Sequence, residues 1–185
     1  SMNGGSGDQR QDGDVGNTLN AWENCLTQIA ATTSSFQPIN INDGLKQQAL
    51  RESLIAAGSQ DNHLRITQIE SDDVWVRDHG PITVFRDGHK IHLDFTFNGW
   101  GGKFAATKDN LITQNLARMK LLDAPIDTVG FILEGGGIES DGLGTLLTTE
   151  RCLLAPTRNP QFNKAQIEEK LKNWFGLKRV LWLKH

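Results

Sequence analysis

The sequence is poor in cysteine: of its 185 residues, only Cys25 and Cys152 carry a thiol. Two cysteines are too few for a disulfide scaffold, and neither has a cysteine or histidine partner at the spacing of a metal site. The composition therefore excludes a disulfide-rich protein and favours a reducing cytoplasm. We expect no metal ion and no cofactor.

Long apolar runs and an excess of positive charge are also missing. Residues 180–183 form one of the longest apolar runs, which is far too short to span a bilayer. No charged segment followed by an apolar one opens the chain, as a secretory signal would. The formal net charge of -3 gives no attraction to polyanions. We therefore expect neither a membrane nor a nucleic acid as a partner.

Residues 1–16 contain almost no side chains that a core would bury. Glycine, aspartate, glutamine and serine dominate this stretch, which predicts a disordered tail, and Ser1-Met2 resembles a remnant of an expression vector. From Asn17 onward, apolar residues recur at helical spacing. We therefore place the folded domain at residues 17–185, with an amphipathic helix at its start.

One structural unit recurs along this domain: a helix, a short strand, an acidic or glycine-rich loop and a hairpin. The predicted helices begin at Asn42, Asp109 and Asn163, and the strands that follow them cover residues 64–69, 129–133 and 179–183. A spacing of about 50 to 65 residues is typical of blade-like modules, which bury their apolar faces against neighbours and favour a closed ring. The fold class is therefore α/β, with two to three modules of ββαβ type, the third ending after its first strand.

Two hairpins are predicted within the repeat. The first turns at Asp87-Gly88, because both central positions of a type I′ turn favour residues that accept positive φ. The second follows residues 145–148, turns near Glu150 and returns through a strand that contains Cys152. We interpret Cys152 as an inert core residue and place Cys25 next to the apolar face of the first helix. Neither is interpreted as an activated nucleophile, since no base or positively charged loop accompanies it.

The densest polar cluster covers residues 71–81 and contains Trp75, Arg77 and Asp78. On residue types alone, a solvated loop with a local Arg77–Asp78 pair is as good an interpretation as a binding site, because turns are rich in aspartate. Trp75 shifts the balance, since an indole beside carboxylates suits a cationic ligand with an apolar stem. Asp78 and Trp75 are therefore candidate binding residues.

Residues 94–103 carry a second polar cluster. Asp94, Thr96 and Asn98 share one face of a predicted strand, and that face either lines a channel or has a structural role. The two glycines after Trp100 would let a backbone approach a ligand closely. The structural and functional interpretations are balanced for this segment.

Glu134 ends an apolar strand and opens a glycine-rich loop. The surrounding residues contain neither a Gly-Lys-Ser/Thr step nor a dinucleotide-binding glycine pattern, so a phosphate site is not expected. A carboxylate at this place is either paired or functional, since burying it alone is costly. Asp141-Gly142 is interpreted as a simple turn, and His79, beside Asp78, is only a weak site candidate.

Four segments, in this order and spacing, resemble those of the agmatine deiminase and bacterial (Porphyromonas-type) peptidylarginine deiminase family. They are residues 73–81, residues 94–103, residues 134–136 with 141–145, and residues 148–154 with Arg158-Asn159. The resemblance runs from about residue 64 to residue 183. It implies the family's fold, a five-bladed α/β propeller called the pentein fold, of which the chain would hold a part.

The resemblance also implies roles for three residues. Asp78 would grip the planar guanidinium of a substrate, Glu134 would orient that group and the catalytic histidine, and Trp75 would flank the aliphatic stem. In this family a cysteine thiolate attacks the guanidinium carbon and ammonia leaves. Water then hydrolyses the thiouronium intermediate, with a histidine as acid and base. The expected substrate is agmatine, with peptidylarginine as the alternative.

The sequence departs from the family pattern in its catalytic residues and in its opening strand, which lacks the usual Trp-Pro. The Asp-Gly-His-x-Asp motif and the late nucleophilic cysteine have no counterpart, and Cys25, Cys152 and His185 match neither. We therefore expect the chain alone to be inactive. The alternative is a non-catalytic module that binds a guanidinium or a partner chain, and in both cases exposed sheet edges favour self-association.

Overall fold

The structure, a computed structural model, describes residues 37–40 and 44–184, with side-chain environments from residue 47 onward. The described residues form two compact units, one ending at Gln68 and one beginning at Ile69. None of the helices in these ranges is both long enough and apolar enough to cross a membrane. The predicted tail at residues 1–16 and the predicted helix after Asn17 lie outside the described residues.

The first unit pairs two parallel strands through one helix. Strand β1 (Gln37–Asn40) is followed by helix α1 (Gly44–Ala56), a 3-10 turn (Asp61–His63) and strand β2 (Leu64–Thr67). The core of this unit is formed by three buried leucines from α1 and β2, which are Leu50, Leu54 and Leu64. Both the predicted helix and the predicted strand are present here, and the strand ends two residues before its predicted end.

The second unit contains two three-stranded sheets with the same topology. Their strands are β3 (Ile82–Arg86), β4 (His89–Thr96), β5 (Ile126–Ile132), β6 (Ile138–Ser140), β7 (Thr145–Thr149) and β8 (Arg179–Leu183). The helices are α2 (Val76–His79), α3 (Gly99–Gly102), α4 (Ile112–Arg118), α5 (Glu150–Leu153) and α6 (Lys164–Phe175), with 3-10 turns at Asp109–Leu111 and Gly135–Gly137. In each sheet an antiparallel hairpin is followed by a helical crossover to a parallel third strand. The ββαβ unit predicted from the repeat is therefore present twice.

The first hairpin has the predicted turn. Asp87 and Gly88 both adopt positive φ, 51° and 79°, and place Arg86 opposite His89. An Asp-Gly step tolerates this left-handed backbone with little strain, which is why the register is set locally.

The prediction for the second hairpin was wrong. The antiparallel partner of β7 is β6, which precedes it, and the chain turns at residues 141–144. The Asp141 carboxylate accepts the N–H groups of Leu143 and Thr145, at 2.8 and 2.9 Å, and so stabilises this turn. After β7, Thr149 caps helix α5 by accepting the N–H of Cys152, which therefore lies in a helix and not in a strand.

Helix α6 closes the main core of the second unit. Asn163, the predicted start of this helix, forms a reciprocal capping box with Gln166, and Gly176 ends the helix with a φ of 63°. Its apolar face supplies two fully buried residues, Ile167 and Leu171, to a core shared with both sheets. Packing this face is what stabilises so short a helix.

The parallel pairing of β4 with β5 determines where the polar loops meet. Thr96 and Ile132 are register partners at the carboxyl ends of these strands, and the Leu133 N–H bonds to the Thr96 carbonyl. The loops that follow, residues 98–103 and 134–137, consequently emerge at the same edge of the sheet.

Candidate functional site

An open cleft of about 300 Å³ lies at this edge of the sheet. Two short segments, residues 73–78 and 100–104, supply its lining residues, which are Asp73, Trp75, Asp78, Trp100 and Phe104. Two of the three site residues predicted from sequence, Asp78 and Trp75, are thus brought together. The third, Glu134, does not line the cleft.

The Asp78 carboxylate is held in one orientation by two donors. Asp78 lies on helix α2. Its Oδ1 accepts the Gly136 N–H at 2.8 Å, and its Oδ2 accepts the Trp100 indole N–H at 2.9 Å. A Cβ on residue 136 would overlap Asp78 Oδ1, so glycine at this position is what allows the close approach. The carboxylate therefore faces the cleft in a fixed position.

Aromatic rings form the walls of the cleft. Trp100 has the left-handed φ of 57° and meets Phe97 and Phe104 edge to face, with ring centroids 5.0 and 5.7 Å away. Trp75 remains 53% exposed although it is a large apolar side chain. An exposed indole beside a fixed carboxylate favours a ligand that combines positive charge with an apolar stem.

The backbone of the acidic loop that carries Asp73 is held by hydrogen bonds to a buried carboxylate. Asp109 is fully buried, and its Oδ1 accepts the N–H groups of Asp72 and Asp73 at 2.7 and 3.2 Å. In return, Asp72 Oδ2 accepts the N–H of Lys108 at 2.9 Å. Sequence reasoning assigned Asp109 only the start of a helix, since no local signal marks a bond to a distant loop.

His79 is buried beneath Asp78 and does not line the cleft. Its ring lies 5.4 Å from the Phe97 ring, and Nε2 is 4.0 Å from Asp109 Oδ1. Burial lowers the pKa of His79, and the negative charges of Asp109, Asp78 and Asp73 offset part of that effect. Burial therefore favours the neutral form of the imidazole, which lies outside the cleft lining.

Glu134 is buried behind the cleft in an ion pair. Its Oε1 lies 2.7 Å from Nη2 of Arg158, and the two side chains are 6% and 11% exposed. Of the two outcomes expected for this carboxylate, paired or functional, pairing is observed. Arg158 belongs to a motif noted in the sequence, but nothing local assigned it this partner.

The polar face predicted on β4 is closed to solvent at Asp94. The Asp94 carboxylate is buried beside the side chains of Gln114 and Thr128, 3.4 and 3.5 Å away. Burial raises the pKa of Asp94, and these hydrogen bonds offset part of that effect. Asp94 therefore belongs to the interior of the module.

The described residues contain no cluster of three or more histidine, cysteine, aspartate or glutamate side chains that would hold a metal ion. Cys152 is a free, half-buried thiol on helix α5, and Cys25 lies outside the described residues. His92 is buried on β4 with its ring nitrogens 3.0 Å from Thr83 Oγ1 and Asp123 Oδ1. Neither Cys152 nor His92 lines the cleft.

Solved structures of known enzymes share this fold. An agmatine deiminase of C. jejuni, solved with substrate bound, aligns with a TM-score of 0.74 and 34% identity over 92% of this chain and 49% of its own. An agmatine deiminase of Enterococcus faecalis aligns with a TM-score of 0.68 and 34% identity over 89% and 45% of the two chains.

Curated sequences give the same relationship. The agmatine deiminase of Stutzerimonas stutzeri is 35% identical over 85% of this chain and 43% of its own length. That of Medicago truncatula is 37% identical over 85% and 44% of the two lengths. The chain therefore spans about half the length of the curated relatives it matches.

A sequence profile of one family covers almost all of the chain. It describes the Porphyromonas-type peptidyl-arginine deiminases and matches residues 8–185. This match agrees with the motifs at Asp78 and Glu134, and the chain belongs to the Porphyromonas-type peptidyl-arginine deiminase family.

Proposed function

We propose that this chain is the guanidinium-binding part of an agmatine deiminase. Such an enzyme uses water to hydrolyse agmatine to N-carbamoylputrescine and ammonia. The observation that carries the proposal is the Asp78 carboxylate, fixed by Gly136 and Trp100 at an aromatic cleft. An ionised carboxylate has about four acceptor sites. Asp78 therefore keeps acceptor capacity on both oxygens for a bidentate, planar guanidinium.

Agmatine suits the cleft better than a peptidylarginine side chain does. Agmatine carries two positive charges at neutral pH, a guanidinium and an ammonium, joined by an apolar stem. The cleft offers two carboxylates, Asp73 and Asp78, with Trp75 and Phe104 as apolar walls. A peptidylarginine side chain has one charge and would leave one carboxylate unmatched.

Glu134 is proposed as a second carboxylate of the site, acting from behind the cleft. In the complete enzyme it would orient the catalytic histidine, the role that the family resemblance implies. Its pairing with Arg158 fixes the position of the carboxylate, which that role requires.

Catalysis would need residues beyond the 185 present in this chain. The Cys152 thiol lies on helix α5 away from the cleft lining, and no residue of the chain matches the family's nucleophile. We propose that the complete protein is a five-module ring in the cytoplasm, supplying a precursor of putrescine to polyamine synthesis. A non-catalytic module that only binds a guanidinium is the second candidate.

Calorimetry with agmatine tests the binding proposal. Asp78→Asn is expected to weaken binding about tenfold or more, since a hydrogen bond to a charged group contributes about 1.5–3 kcal/mol. Asp127→Asn is the matched control, because Asp127 pairs with Arg86 on the surface, outside the cleft. Equal affinity for agmatine in wild type and Asp78→Asn would refute the proposed binding of the guanidinium by Asp78.

Two further measurements separate the candidates. N-acetylarginine amide, which carries only the guanidinium charge, is expected to bind more weakly than agmatine. Its binding more tightly would favour a peptidylarginine substrate. An ammonia assay on the 185-residue chain is expected to show no turnover, and agmatine-dependent ammonia release would refute the predicted inactivity while leaving the binding proposal intact.

A further inference from the structure

A buried ion pair is an unusual element to place behind a binding cleft. Arg158 and Glu134 are both largely removed from water, and among the described residues neither Arg158 Nε nor Glu134 Oε1 has a hydrogen-bond partner. Desolvating two charges costs about as much as their attraction returns, so such a pair adds little stability. Its position relative to the cleft residues is the more informative property.

The Arg158 guanidinium supports the loop that carries Trp100. A Cβ on Gly101, whose φ is 84°, would overlap Arg158 Nη1 and the Thr157 side chain, so this loop lies directly on both. Asn98 reinforces the contact by donating from Nδ2 to the Thr157 carbonyl at 2.9 Å, while its Oδ1 accepts the Gly101 N–H at 2.8 Å. The loop backbone at Gly101 therefore lies against Arg158 Nη1.

The Arg158 segment is itself anchored to the sheet. The side chain of Asn159 accepts from the Ile132 N–H at 2.9 Å and donates to the Ile132 carbonyl at 2.8 Å. Ile132 is the last residue of β5 and stands two residues before Glu134. The guanidinium is consequently held at a fixed distance from the carboxylate it pairs with.

These contacts form a closed series of interactions, here called the circuit, that links the carboxylates of Glu134 and Asp78. Glu134 binds Arg158, Arg158 supports Gly101, and the adjacent Trp100 donates its indole N–H to Asp78. Asp78 then accepts the N–H of Gly136, two residues after Glu134.

We propose that Arg158 is a positioning residue that couples Glu134 to Asp78 through the Gly101–Trp100 loop. The inference rests on the proposed function, in which Asp78 receives the substrate guanidinium. Arg158 suits the task because one guanidinium nitrogen, Nη2, pairs with Glu134 while another, Nη1, lies against Gly101. A lysine would keep the charge but has only one nitrogen for these two contacts.

Hydrogen exchange at the Trp100 indole N–H, followed by NMR, reports the coupling without any ligand. In Arg158→Lys we expect this N–H to exchange about tenfold faster, because its bond to Asp78 loses its support. The indole of Trp182 is the internal control, since it donates to Glu168 and has no part in the circuit. The Trp182 exchange rate and the free energy of unfolding are expected to stay close to wild type.

A second variant covers the case in which Arg158→Lys does not fold. Glu134→Gln with Arg158→Gln removes both charges together, so no carboxylate is left buried and unpaired. The same acceleration at Trp100 is expected. Unchanged Trp100 exchange in either folded variant, or equal acceleration at Trp182, would overturn the proposal.

Agmatine titrations of the same variants distinguish the two proposals. If Arg158 positions Asp78, the affinity for agmatine falls in the same variants in which the Trp100 indole N–H loses its protection from exchange. If wild type binds no agmatine but Trp100 exchange responds, the proposed function fails and the positioning role stands. If Asp78→Asn abolishes binding while Arg158→Lys changes neither affinity nor exchange, only the positioning role fails.

Discussion

At the scale of single residues, the cleft depends on two glycines, because neither has a Cβ. Gly136 and Gly101 each let a functional group approach the backbone to a distance that a Cβ would block. The first holds the Asp78 carboxylate and the second holds the Arg158 guanidinium. Glycine at these two positions is thus a requirement of the site and not only of the turns.

Gly136→Ala tests this requirement. The new methyl group would overlap Asp78 Oδ1, so the carboxylate must move away from the Gly136 N–H. Steric overlap of this kind costs about 1–3 kcal/mol. We expect a lower free energy of unfolding in urea and weaker agmatine binding by calorimetry.

Gly130→Ala is the control for that experiment. Gly130 lies on β5, where an added Cβ meets nothing within 4 Å, so stability and binding should stay close to wild type. Agmatine binding by Gly136→Ala at wild-type affinity would show that the position of Asp78 does not control the site.

His79 should make stability depend on pH. Burial lowers its pKa in the folded state below 6.5, the value of an ordinary imidazole, so below about that pH the unfolded chain binds more protons. The stabilisation is therefore complete above pH 6.5 and is lost progressively as pH falls toward the lowered pKa. Urea unfolding at pH 7.5 and 5.5 should show this decline, and His79→Gln should reduce it.

The comparison with His79→Gln isolates the imidazole from the carboxyl groups. Asp94 acts in the opposite sense, because burial raises its pKa above 3.8 and its stabilisation is lost as pH rises through the folded value. This contribution is common to both proteins and cancels in the difference. An equal change in the free energy of unfolding between pH 7.5 and 5.5 in wild type and His79→Gln would rule out His79 as the source of the decline.

At the scale of elements, the parts of the fold that local sequence specifies were predicted well. Helix α6 has its cap at Asn163 and its left-handed end at Gly176, and both signals are visible in the sequence. The Asp87-Gly88 hairpin is equally local. Each of these elements is set by interactions between residues a few positions apart.

The prediction of the second hairpin failed because two local signals, one for a strand and one for a helix, compete over the same residues. Thr148 and Thr149 continue an alternating strand pattern, and the apolar residues after Arg151 resemble a returning strand. The bond from Cys152 N–H to Thr149 Oγ1 instead begins a helix. The pairing of Glu134 with Arg158 was beyond prediction for a different reason, since no periodicity relates residues that only the folded sheet brings together.

Asn163→Ala measures how much the capping box of α6 contributes. The Asn163 side chain accepts the Gln166 N–H at 3.0 Å, and Gln166 Oε1 accepts the Asn163 N–H at 2.9 Å. Losing the cap should lower the free energy of unfolding by about 1 kcal/mol. Glu169→Ala, on the exposed face of the same helix, should change it by less than about 0.5 kcal/mol. Equal effects of the two substitutions would argue against the cap.

At the scale of the whole molecule, the sheet of the second ββαβ module leaves apolar residues exposed on one of its faces in the described part of the chain. On the second sheet, Leu147 of β7 and Leu181 of β8 are register partners, 37% and 48% exposed. Leu183 follows on the same face and is 50% exposed. Modules of this kind bury such faces against neighbouring modules. In the isolated chain, a second copy is the neighbour available.

We therefore predict that the chain associates through this face and that Leu181→Lys weakens the association. Light scattering coupled to size-exclusion chromatography should show a mass above that of one chain at about 100 μM, since association follows protein concentration. A lysine at position 181 places a charge in the apolar contact and should raise the dissociation constant at least about tenfold. Phe85→Lys is the matched control, because Phe85 is also exposed but belongs to the other sheet. A wild-type monomer at that concentration, or equal effects of the two lysines, would mean that this face is not the contact.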